Sequence, residues 1–147
     1  MAYSKALERA LWEAEAGAAE GGMPFGAALI VNGEVVASGR NRQIQDGRYF
    51  SHAEINCLGE AVRRPFGRNE DVVMVATEAP CPMCAGAIVV SGIRHVVVGE
   101  DVHYPGALDW LRGRDVNVRV AGHQGCIDLV GQFKNAHPER WDAFSAG

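Results

Sequence analysis

At 147 residues, 48% hydrophobic and 22% charged, the chain has the make-up of a globular protein and the length of one domain, so residues 1–147 are assigned to a single unit. A net charge of −4 argues against a broad nucleic-acid footprint, which needs a basic excess, and Arg63, Arg64 and Arg68 read as a solvated face. Residues 1–20 carry Lys5, Glu8, Arg9, Glu13, Glu15 and Glu20, and no apolar run approaches ~18 residues; a signal peptide or membrane span is not expected, and the cytoplasm is the expected compartment.

Taken in order, residues 2–20 predict an amphipathic helix, with Leu7, Ala10, Leu11, Ala14 and Ala18 at helical spacing and Gly21-Gly22 ending it. Two extended runs, 27–31 and 34–38, flank Asn32-Gly33, a strong hairpin signal because the turn needs positive φ at both central positions. Residues 39–50 are polar and aperiodic and read as a loop. A helix follows from Ser51 or His52 to about Val62, then a buried strand over 72–77 and a helix opened by Cys81. The spacing next predicts a strand over 94–100, a short helix over 105–112 and a strand over 116–120. A helix over 126–136 and a last turn over 138–144 complete the chain. An antiparallel hairpin followed by alternating strands and helices predicts a mixed sheet with helices on both faces.

Chemistry concentrates in two segments, Ser51-His52-Ala53-Glu54 and Ala79-Pro80-Cys81-Pro82-Met83-Cys84. His52, Cys81 and Cys84 are donors that suit Zn²⁺, and three protein ligands leave a fourth tetrahedral position open for water. Each segment opens a helix, whose N-terminal dipole favours thiolate at Cys81 and Cys84. His52 must bind as neutral imidazole, its other nitrogen oriented by a partner. Glu54 is placed to take the water's proton and pass it on, work that needs a pKa raised by burial. A lone Cys-x-x-Cys also serves as a redox pair, and a lone His-x-Glu is common; a structural zinc site, however, uses four protein ligands, and no fourth is evident. Cys57 and Cys126 fall in apolar helical patterns and read as core thiols.

The two segments together form H-x-E…P-C-x-x-C, the pattern of zinc-dependent nucleobase deaminases. From Glu20-Gly21-Gly22-Met23-Pro24-Phe25-Gly26 through Val98-Gly99-Glu100 to Pro138-Glu139-Arg140-Trp141, the chain resembles the cytidine/deoxycytidylate deaminase superfamily, and more narrowly the small fungal-type cytosine deaminases. The resemblance implies a three-layer α/β/α sandwich around a mixed five-stranded sheet, one zinc per chain, a homodimer and a small heterocyclic substrate, with cytosine converted to uracil. It also implies that Asn41, eleven residues before His52, holds the substrate's edge, that Ala53 lies at the substrate, and that Phe25, Tyr104 and Trp141 wall the ring. In that family an acidic residue three positions after the closing tryptophan contacts the amine. Here Phe144 stands there, so either Asp142, the nearest carboxylate, takes that substrate contact through a shifted backbone or the substrate differs. Glu78 and Ala79 also depart from the usual residues before Pro-Cys. Guanine, a creatinine-type cyclic amidine and tRNA adenosine stay open as substrates, as does a non-catalytic zinc-binding interaction module, against which Glu54 argues.

Overall fold

The computed structural model describes residues 2–146. Helix α1 (Ser4–Ala19) buries Ala6, Leu7, Ala10 and Ala14 against the sheet. Strands β1 (Gly26–Val31) and β2 (Glu34–Arg40) are joined through Asn32 and Gly33, whose φ values of 51° and 81° are the positive pair the turn requires. The chain continues through α2 (Gln43–Asp46), α3 (Ala53–Ala61), β3 (Val72–Glu78), α4 (Pro82–Val90) and β4 (His95–Glu100). It ends with α5 (Leu108–Gly113), β5 (Asn117–Val120), α6 (Gln124–Ala136) and α7 (Pro138–Ser145). The sheet runs β2-β1-β3-β4-β5, with β1 antiparallel to both neighbours and β3, β4 and β5 parallel. This is the mixed five-stranded α/β sandwich expected from the sequence.

Alternation along the strands divides the core between the two sheet faces. Val75 and Val97 pack with Ala6, Leu7 and Ala10 of α1 and Cys126 of α6. Met74, Val96 and Val98 pack with Ala53, Cys57, Ala85, Ile88 and Leu111, from α3, α4 and α5. Parallel strands therefore deliver their C-terminal ends to the side on which α3 and α4 begin, the usual place for a ligand site in such sheets.

Two stretches differ from expectation. The 39–50 loop holds one helical turn, α2, because Asn41 Oδ1 accepts from the Gln43 amide at 3.0 Å, Arg42 pairs with Asp46 at 3.1 Å, and Gly47 closes the turn at φ 65°. Helix α5 starts at Leu108 rather than Pro105, since Gly106 is left-handed (φ 55°) and the Ala107 amide is held by the Pro80 carbonyl at 2.9 Å.

One close approach fixes α3 on the sheet. A Cβ at Gly39 would lie 2.6 Å from the Cys57 nitrogen and 2.9 Å from the Ala53 carbonyl oxygen, both rigid backbone. Asn56 adds two bonds there, donating to the Arg40 carbonyl at 2.8 Å and Ser51 Oγ at 3.1 Å. Gly39→Ala is therefore expected to destabilise the protein by about 1–3 kcal/mol in urea unfolding, the usual cost of overpacking. An unchanged midpoint would show that α3 has room to shift.

Candidate active site

His52 and Cys81 are the residues immediately before α3 and α4. Both are extended (φ −85°, ψ 155° and φ −70°, ψ 171°), and Pro82 supplies the preset φ of a first helical residue. Cys84 follows one turn into α4. His52 Nδ1 is 3.4 Å from Cys81 Sγ and 3.4 Å from Cys84 Sγ, and all three donor atoms lie within 4.8 Å of one another. A tetrahedral zinc with Zn–S near 2.3 Å and Zn–N near 2.0 Å sets its N and S donors about 3.5 Å apart, so the group fits one Zn²⁺. No other such group occurs among the described residues. The remaining cysteines are buried and unpaired, and burial pushes the Cys57 and Cys126 thiols up to about 12, as inert core groups.

The ligands' electrostatics suit a dication. Hydrogen bonding from Cys84, helped by His52 and opposed by burial, lowers the Cys81 thiol to about 4, while the same Cys81 bond and burial raise Cys84. Metal binding expels whatever protons the two thiols retain. Burial works against charge on His52, but the Cys81 sulfur and Glu54 outweigh it and raise the imidazole. The Tyr49 backbone carbonyl also bonds the His52 ring, a partner that residue types alone do not disclose. Glu54, in the first turn of α3, is buried, and burial lifts its carboxyl to about 7.

Beside the ligands lies a small pocket lined by Phe25, Asn41, His52, Glu54, Glu78 and Phe144, among others. Asn41 is 1% exposed, and its amide also engages Gln43 at 2.7 Å and 3.0 Å. Phe25 faces the pocket, whereas Tyr104 and Trp141 stand behind Phe144, their rings 5.0 Å and 5.5 Å from it. Phe144 also packs 4.7 Å from Phe25, so it joins the three aromatic residues named from the resemblance into one wall. Ala53 is buried one residue from each of His52 and Glu54, but it does not line the pocket. Asp142 is exposed on α7 and is not brought to the pocket.

A second acid reaches the pocket that residue pattern alone does not assign. Glu78 ends β3 in register with Glu100 of β4, and both are buried, at 4% and 0% exposure. Glu78 Oε2 and Glu100 Oε1 have no hydrogen-bond partner among the described residues. Burial, then the neighbouring Glu100 carboxyl, holds Glu78 far above the usual carboxylate range. The sequence signal was the carboxylate of Glu78 at a strand end, but its partner two elements away becomes visible only with the strand register.

This arrangement, a three-donor metal site beside a buried carboxyl at the mouth of an α/β sheet, defines a zinc-binding deaminase fold. The chain belongs to the cytidine and deoxycytidylate deaminase family, whose zinc-binding region matches residues 1–100. It is 35% identical over 139 residues to a cytosine deaminase of Candida albicans, covering 94% of this chain and 93% of the relative. It is 37% identical over 94 residues to a tRNA-specific adenosine deaminase of Bacillus subtilis, covering 63% of this chain and 58% of that one. In structure it is similar to a guanine deaminase from Nitrosomonas europaea, with a TM-score of 0.74 at 22% identity over 88% of this chain and 83% of the other, a likeness of fold.

Cys84→Ala is expected to lose most of its zinc in metal analysis and to melt lower, because site energy is also folding energy. Full zinc retention would contradict the ligand set. In the wild-type protein, chelation should expose Cys81 and then Cys84 to a thiol reagent, whereas Cys57 and Cys126 should react only on unfolding.

Proposed function

We propose that the protein hydrolytically deaminates a free nucleobase or a similarly small amine-bearing heterocycle, releasing ammonia, with cytosine the first candidate. The observation that carries this reading is Glu54, a carboxyl buried in the same pocket as the metal ligands and pushed up to about 7 by that burial. His52, Cys81 and Cys84 hold the zinc, which when bound supplies a Lewis acid and an activated water. Glu54 takes a proton at its carboxylate, delivers it to the substrate's ring nitrogen and passes a second to the leaving amine. Asn41 offers donor and acceptor in one plane to the heterocycle's edge. Phe25 and Phe144 provide flat apolar faces, with Tyr104 and Trp141 behind them. The free space in the pocket is about 10 Å³, that of one water, so a ring needs the pocket to widen.

The near full-length match to a cytosine deaminase supports cytosine. The exposure of Asp142 and the phenyl group of Phe144 at the pocket support a purine base or a creatinine-type amidine as the second reading. The net charge of −4 weighs against RNA. Residues 1–147 acting as one domain, assembled as a homodimer in the cytoplasm, complete the proposal.

Ammonia release across free bases, cyclic amidines, nucleosides and RNA is expected to show turnover of free rings alone. Efficient deamination of cytidine, or of adenosine in RNA, would overturn the small-ring reading. Glu54→Gln should keep about one zinc per chain while turnover falls by ~10²–10⁴, the range for a lost general acid–base. Metal loss in that variant would make Glu54 a ligand instead.

A further inference from the structure

One row of residues crosses the sheet at the pocket floor. Strand β1 pairs with β2 through Gly26 and Arg40 and with β3 through Ala27 and Ala76. One step beyond the first rung Phe25 falls beside Asn41, whose amide bonds the Phe25 carbonyl at 3.0 Å, and two steps beyond the second it falls beside Glu78. The register of β3 with β4 then adds Glu100. The row therefore reads Asn41–Phe25–Glu78–Glu100, and its first three members line the pocket. With strands 4.7–4.9 Å apart, Asn41 and Glu78 stand about 10 Å from each other, on opposite flanks of the aromatic Phe25. A single six-membered ring with its substituents spans that gap.

We propose, resting on the small-ring deaminase reading, that Glu78, braced by Glu100, is a specificity-determining residue that binds a second N–H or amino donor on the substrate. The carboxyl oxygens of Glu78 and Glu100 accept hydrogen bonds but find few donors in the protein. Glu78 Oε1 has only the amide of Ala79, at a long 3.3 Å, and Glu100 Oε2 has the amide of His103 at 3.2 Å. A buried acceptor at a pocket wall is satisfied by a ligand N–H and is penalised by a ring that offers carbon there. Glu78 is also the acid available for this role. Asp142 is exposed, position 144 is a phenylalanine, and Glu54 is the proposed proton carrier. The preferred substrate is then a ring with at least two donor-bearing nitrogens, one of them the reacting amine.

The test uses the zinc-loaded full chain and a matched pair, 2,4-diaminopyrimidine and 4-aminopyrimidine, which differ by one amino group. Both calorimetric binding and ammonia release are measured. The wild type should bind the diamine about tenfold tighter, the worth of one buried hydrogen bond. Glu78→Met, of similar volume, should bring the two rings within about threefold while zinc content stays the same. Glu78→Gln should restore part of the preference, since its amide can donate to Glu100 and accept from the ligand. Equal binding of the two rings by the wild type, or a full preference in Glu78→Met, overturns the role. If Glu78→Met does not fold, the wild-type comparison and Glu78→Gln still decide. A Glu78-dependent preference with no ammonia from any ring would keep this assignment and remove the deaminase reading. Ammonia release with no such preference would do the reverse, and binding of neither ring would end both.

Discussion

The structure turns on bringing three donor atoms, from segments 29 residues apart, to within one coordination sphere. Neither segment can do this alone. Cys81 and Cys84 share a turn of α4, but His52 reaches them only because α3 lies directly on β2, where Gly39 admits its backbone. The same packing turns Glu54 inward. The burial that raises its carboxyl is thus a consequence of seating the helix that carries the ligand, and the metal site and its acid–base group are one structural unit.

The charges in the site are arranged to need one another. A pair of cysteines of opposed acidity, a buried imidazole and a buried carboxyl form a poor core by themselves. A dication resolves most of that cost, which couples folding to metal uptake. The Glu78–Glu100 pair is a separate arrangement. It lies outside the ligand set, at the ends of two parallel strands, and is short of donors among the described residues. Two acids therefore face one small pocket, each raised mainly by burial, and they stand on different elements.

Much of this was legible in the residues. The ligand spacing, the Asn32-Gly33 hairpin and the alternation of strands with helices carried the metal site and the mixed sheet. Local hydrogen bonding hid the rest: Asn41, Arg42 and Gly47 build a helical turn inside a stretch with no hydrophobic period. Gly106 delays α5 through a tertiary bond to Pro80 that no local propensity encodes. The role of Phe144 as the residue linking Phe25, Tyr104 and Trp141 depends on how α7 docks, and the Glu78–Glu100 pairing depends on strand register. Long-range placements of this kind lie beyond spacing rules.

The central claim is that three protein donors hold the metal and leave one position free. X-ray absorption at the zinc edge of the metal-loaded protein measures that shell directly. The account predicts two sulfurs near 2.3 Å with one nitrogen and one further light atom near 2.0–2.1 Å. A shell of three or four sulfurs, or one with four protein donors closing the tetrahedron, would contradict it.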